Sequence, residues 1–260
     1  MRSWSSLLVL TAIAGAAQAQ NPPGTPAPPA ADPRLEIVLS NWEKAMLGVQ
    51  TLSAEVKRTK LDKTFQTTEL FEGTAHYMRG GAGQMSRASL ELFKKNQPQV
   101  FEKYLCTGNF LYEWLPASKV IKRHELPTPK QGQVADDNFL SFMFGMKAED
   151  AKAKFQITYV PAPANDKWYQ YLRIQPRASA DKADFSEARL TLLASNYLPR
   201  QLWFLQPNGD EVTWDLPRVT SPANLNANAF AHPQLPAGWQ FVPVPLQNPA
   251  PRVLRNNGQP

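Results

Sequence analysis

The chain has 260 residues, 43% of them apolar, enough to bury a sizeable core in one or two domains and too many for wholesale disorder. A single cysteine, Cys106, excludes an internal disulfide and any cysteine-cluster metal site. Lys and Arg number 28 against 22 Asp and Glu; a net charge of +6 so dispersed does not argue for a nucleic-acid partner.

Residues 1–19 have the layout of a secretory signal peptide. Arg2 supplies the positive start, Leu7 to Ala16 is a short apolar stretch, and Ala17-Gln18-Ala19 is a small-x-small cleavage site. The stretch is too short to stay in a membrane as a span. Cleavage near Ala19-Gln20 is expected to leave a soluble protein, periplasmic or secreted. No cysteine follows the cleavage site, so a lipid anchor there is not expected. In an oxidising compartment a lone cysteine leaves stability to packing, and Cys106 reads as a small buried hydrophobe. Residues 20–32 form a Pro/Ala-rich linker that favours extended, semi-rigid conformations. The folded domain is expected over 33–242, followed by a Pro-rich disordered tail over 243–260.

The first helix is strongly signalled. Asp32 can cap it and Pro33 suits its first turn. Leu35, Val38, Trp42, Met46 and Val49 then recur at helical spacing, which predicts one buried face. From Thr51 the period changes to two: Leu52, Ala54 and Val56 alternate with polar residues, and so do Phe71, Gly73, Ala75 and Tyr77. Continuing the pattern predicts about eleven strands, mostly consecutive and antiparallel, which curl into a meander, sandwich or barrel. Asn208-Gly209 fits a two-residue type I′ turn. That turn would pair Leu205 with Val212 and Trp203 with Trp214, giving one dry, aromatic face.

Between the two runs of strands lies a segment rich in Phe and Met. Asp136, Asp137 and Asn138 can start a helix that Phe139, Leu140, Phe142, Met143, Phe144 and Met146 fill. Such a helix is either plain core or the cover of a greasy cavity that it can leave. A short helix near 147–153 follows it.

Catalytic signatures are missing from the sequence. His76, His124 and His232 form no pair at metal-ligand spacing, and no nucleophile elbow or phosphate-binding loop occurs. Helix capping explains Asp136-Asp137 better than catalysis does. No enzyme activity, cofactor or metal is expected.

The order of parts resembles the periplasmic lipoprotein carriers of the LolA/LolB type. Thr107 to Pro116 (TGNFLYEWLP) is similar to the family's DGxxLWxYxP strand, and Gly73 to Arg79 to its GxxxxxRP strand end, with Gly80 where proline is usual. Asn138 to Met146 sits where the family has its lid helix. Asn228-Ala229-Phe230 with Leu235 to Trp239 is similar to its closing segment. The proline-rich flanks and the YLCTGNFLYEWLP wording also resemble an uncharacterised LolA-like family of planctomycetes. The resemblance implies an α+β, mainly β fold, an incomplete antiparallel barrel with a helical lid. It implies a non-enzymatic carrier that shields the acyl chains of a lipoprotein or other lipid. A membrane-protein donor or acceptor and a monomeric state go with it, with no role for nucleic acid. The cavity is expected to be lined by Phe71, Tyr77, Phe110, Tyr112, Trp114, Trp203, Leu205 and Trp214. The lid would be Phe139, Phe142, Met143 and Met146, with Arg79 as its latch. The alternative is a periplasmic sensor or scaffold module that binds a protein partner through the same fold.

Overall fold

The structure, a computed structural model, describes residues 32–81, 84–126, 148–178 and 185–245. The predicted signal peptide, the linker and the Phe/Met-rich segment with Phe139, Phe142, Met143 and Met146 lie outside the described residues. No described helix is long and apolar enough to cross a membrane.

Helix α1 spans Pro33–Gly48, and the Asp32 side chain accepts a hydrogen bond from the Arg34 backbone N–H, as the capping pattern predicts. Its buried stripe is Val38, Leu39, Trp42 and Met46. A second helix, α2 (Ala148–Lys154), buries Ala148 and Ala151 and turns its charged residues outward. The strands are β1 (Thr51–Asp62), β2 (Thr67–Met78), β3 (Arg87–Lys94), β4 (Gln97–Cys106), β5 (Phe110–Leu115) and β6 (Val120–Glu125). After α2 come β7 (Phe155–Val160), β8 (Tyr169–Pro176), β9 (Glu187–Leu193), β10 (Pro199–Leu205), β11 (Glu211–Asp215), β12 (Val219–Thr220) and β13 (Gln240–Val244).

All of them join one open sheet of 13 strands in the order β13-β6-β5-β4-β3-β2-β1-β11-β10-β9-β8-β7, with the short β12 pairing β1. The consecutive antiparallel strands are those expected from the alternating pattern, and the open sheet is the incomplete barrel that the resemblance implies, with two additions. Strand β12 is only a two-residue bridge. Strand β13 pairs parallel to β6, Phe241 opposite Ile121. A parallel neighbour needs a long crossover, and residues 221–239 supply it. Strand β13 runs to Val244, across the 242/243 boundary drawn between domain and tail.

Strands β2 and β3 approach closely at Gly73. A Cβ there would stand 1.8 Å from the backbone oxygen of Glu91 on the neighbouring strand, so only glycine allows β2 and β3 to approach this closely.

The β10–β11 hairpin departs from expectation by one residue. Leu205 faces Glu211, Phe204 faces Val212 and Leu202 faces Trp214. A type I′ turn needs positive φ at both central residues, and only Gly209 of the pair has it, at 88°. Pro207 fixes an ordinary turn one residue earlier. Asp210 leaves the ladder to close the loop: its carboxylate accepts from Lys63 N–H at 3.0 Å and from the Asn208 amide at 2.8 Å. A shift of one residue sends every side chain of a strand to the opposite face.

Candidate functional site

The inner face of the sheet, the α1 side, divides into two walls. Across β8 to β10 it is aliphatic: Leu172, Ile174, Leu190, Leu192 and Leu202 are each no more than 1% exposed. Val38, Leu39, Trp42 and Met46 of α1 share one core with them. None of these five was among the residues expected to line a cavity, and the wall is packed in one core with α1.

Arg79, at the end of β2, secures that helix. Its Nε donates to the Val49 carbonyl at 2.9 Å and its Nη2 to the Met46 carbonyl at 2.8 Å. Both carbonyls lie at the C-terminal end of α1, and that of Met46 also accepts from the Val49 backbone N–H at 3.2 Å. The described partners of Arg79 are thus at the end of α1; the 139–146 segment expected as its partner lies outside the described residues.

The eight predicted cavity residues do not share a face. Phe71, Tyr77 and Trp214 point inward and belong to the core beneath α1. Phe110, Tyr112 and Trp114 point outward. Trp114 faces Lys103 and Tyr112 faces Leu105 across β4, on the side opposite Tyr104 and Glu113. There Leu105, Tyr112, Trp114, Ile121 and Phe230 form a second apolar cluster, with Phe101, Leu225 and Trp239 packed against it. The crossover segment thus roofs the outer side of β4–β6, and the hydroxyl of Tyr112 meets Nδ1 of His232 on that segment at 2.5 Å. Alternation within β5 was readable, but both of its faces are covered, so apolar character alone could not say which looks inward.

Trp203 and Leu205 are also outward, a consequence of the register shift. The indole N–H of Trp203 donates to Glu211 at 3.0 Å, and the Arg189 guanidinium lies 4.5 Å over its ring. It is a surface aromatic within an ionic lattice, not part of a dry wall.

The inner face of β1 and of β4 to β6 carries ionisable groups, of which the sequence reading named only His124 and Cys106. Arg58, 7% exposed, continues the inward series Leu52, Ala54 and Val56, and that continuation was the available signal. It donates from Nη1 and Nη2 to the two carboxylate oxygens of Glu102, each at 2.6 Å. Tyr104 lies along the same wall; burial, then the Glu102 and Glu113 carboxylates, push its hydroxyl well above the usual tyrosine range. Glu113 meets His124 Nε2 at 3.2 Å, and that hydrogen bond holds its carboxyl below the ordinary value against an opposing effect of burial. Cys106 is half-buried at the end of β4, its thiol pushed up by burial.

The outer face holds a groove of about 460 Å³ between the sheet and the crossover segment. Thr74, His76, Ser89, Glu91, Lys103 and Trp114 line its sheet side. Lys103 pairs with Glu91 at 3.0 Å and lies 5.3 Å over the Trp114 ring. His76 Nδ1 is buried there without a hydrogen-bond partner.

The described strands form one open, mainly antiparallel sheet whose inner face shares a single core with α1. Solved structures share the likeness at low identity. An uncharacterised conserved protein from Thermus thermophilus is 12% identical, with 81% of this chain and 99% of that one covered and a TM-score of 0.48. MucB is 10% identical over 78% of this chain and 64% of its own, with a TM-score of 0.47. A LolA superfamily protein from Nitrosomonas europaea is 11% identical over 76% and 97%, with a TM-score of 0.35. The fold assignment rests on the strand order above, not on these scores. No protein-family model and no curated protein matches the chain.

Proposed function

We propose that the protein is a non-enzymatic, exported carrier that shields lipid acyl chains against its inner sheet face, with residues 1–19 as the export signal. The observation that carries this reading is the aliphatic wall of Leu172, Ile174, Leu190, Leu192 and Leu202, which shares one core with the buried stripe of the amphipathic helix α1. Magnitudes favour exchange. Returning the four buried side chains of α1 to water costs about 1.5–3 kcal/mol each, so roughly 6–12 kcal/mol in all. An acyl chain gains about 0.8 kcal/mol per buried methylene, so about fifteen methylenes offset that cost. One chain barely breaks even; two or three would drive α1 off the wall. The cargo class that fits is a multiply acylated lipid or lipoprotein, and emptying the site needs an acceptor that competes for those chains. The carrier would work as a monomer.

A second reading, a module that binds a protein partner, is favoured by the outer groove, where the Trp114 ring lies beside the Glu91–Lys103 pair. Mass spectrometry of material co-purifying from the native compartment separates the two. Stoichiometric lipid or acylated peptide supports the carrier. Delipidated protein holding a stoichiometric polypeptide supports the module and rejects the carrier.

A further inference from the structure

Phe65, in the turn between β1 and β2, is 75% exposed, the most of any large apolar residue among the described residues. The turn that presents it is firmly built. The Asp62 carboxylate accepts from the Phe65 N–H at 2.9 Å, and the Gln66 side-chain amide donates to the Lys63 carbonyl at 2.7 Å. Lys63 is tied in turn to the β10–β11 loop: its N–H donates to Asp210 at 3.0 Å, and its ammonium lies 2.8 Å from Glu211. A ring on a slack loop folds back onto the sheet; this one is held out in water. The hairpin also projects. Strands β1 and β2 stay paired as far as Asp62 opposite Thr67, whereas β3 leaves the β2 ladder at Lys94 opposite Phe71. Four residues at about 3.4 Å each carry the turn roughly 14 Å past the end of β3.

Behind the tip, the β3–β4 hairpin adds Phe93 and Val100, 39% and 41% exposed. The Phe93 ring lies 6.0 Å from Phe101, which stacks on Trp239 of the crossover segment at 6.4 Å. Cations border these rings. The carboxylates of Glu69, Glu72 and Glu211 are engaged by Lys94, Lys57 and Lys63. Lys95, in the β3–β4 turn, and Lys119, whose carbonyl accepts from the Gln240 N–H beside Trp239, are exposed and have no ion-pair partner among the described residues.

We propose that this end of the sheet docks the protein on an anionic lipid bilayer, with Phe65 inserted at headgroup depth and Lys95 and Lys119 against lipid phosphates. A projecting ring needs a partner that makes room for it. A folded protein must already hold a pocket of that shape, whereas a bilayer interface yields, and it takes aromatic rings together with lysines. The charge on Lys95 and Lys119 selects a negative surface, at about fivefold in affinity for each lysine. One inserted ring and a few lysines make such docking reversible. It does not depend on what the inner face holds.

The test is co-sedimentation of the exported, mature protein with vesicles of phosphatidylcholine and of an equal mixture of phosphatidylcholine and phosphatidylglycerol. The wild type is expected to bind the mixed vesicles at low salt, to leave them at high salt, and to bind phosphatidylcholine alone far more weakly. Phe65→Ser should weaken binding about tenfold, and Lys95→Gln with Lys119→Gln about twentyfold. All three positions are exposed, so the urea midpoint of each variant should match the wild type. Failure of the wild type to bind mixed vesicles would overturn the docking assignment. Full binding by both variants would overturn it as well, because the contact would then lie elsewhere on the chain. A Phe65-dependent dimer without lipid binding would assign the ring to a second copy of the chain instead. Each of these contrary results leaves the acyl-chain carrier standing.

Discussion

Across β8–β11 the apolar side chains face α1 and the outer side carries charge: Arg173 and Arg189 share Glu187, and Arg200 pairs with Asp215. Across β4–β6 the arrangement is reversed. Aromatic rings point outward beneath the crossover segment, and Arg58, Glu102, Tyr104, Glu113 and His124 border the inner wall. One sheet therefore changes its apolar side midway. The half that shares its core with α1 and α2 packs inward. The half with a second cover can place its largest rings outside and reserve its interior for polar work. Alternation tells which residues share a face; the cover decides which face is dry.

The sharpest way to break this comparison is to truncate one tryptophan in each half. Trp114→Ala, in the outer cluster, should cost about 3–5 kcal/mol of unfolding free energy, as a fully packed aromatic does. Trp203→Ala, on the charged outer surface, should cost no more than about 1 kcal/mol. Urea titrations of both variants decide it; equal losses would mean that the outer side of β10 is as much a core as that of β5. Next in size is the hinge between the halves. Gly73→Ala should lose about 1–3 kcal/mol in the same assay, because the added carbon meets the Glu91 carbonyl. An unperturbed melting temperature would show that the curl does not depend on that close approach.

Much of this organisation could be read from the chain. The α1 cap and stripe, the α2 position and nearly every strand follow from Asp32-Pro33 and from the change of period at Thr51. The misreadings have local causes. At Asn208-Gly209 a preferred dipeptide was outweighed by Pro207 and by Asp210, whose side chain closes the loop. In β5 the sequence LYEWL is apolar on one face and mixed on the other, and the outward ring of Tyr112 meets His232 and Phe241, more than a hundred residues away. The Arg58–Glu102 pair joins two strands that are not neighbours, a relation that no alternation pattern encodes.

Smaller effects sharpen the same contrast. Arg79→Leu removes the hydrogen bonds to Met46 and Val49 and loosens α1 alone. Loss of such a cap is worth about 1 kcal/mol, so the fold should survive while binding of a hydrophobic fluorescent probe rises several-fold. An unchanged signal in folded protein would show that α1 is not held by this residue. On the ionic wall, the Glu113 carboxyl is depressed in the folded state, chiefly by its hydrogen bond to His124, with burial opposing and Lys122 assisting. Its contribution to stability is therefore complete above the ordinary carboxylate value and fades as pH falls through the depressed one. Wild type and Glu113→Gln should differ in urea midpoint at pH 7 and converge in acid; a difference that persists at pH 2 would assign the effect to packing.

Hydrogen exchange at α1 tests the account most directly, because a lipid that takes the place of the helix must leave a mark on its amides. With a synthetic triacylated lipopeptide bound, residues 36–48 should lose protection while β8–β10 keep theirs. Unchanged or increased protection of α1 in the bound state would contradict the exchange of helix for acyl chain.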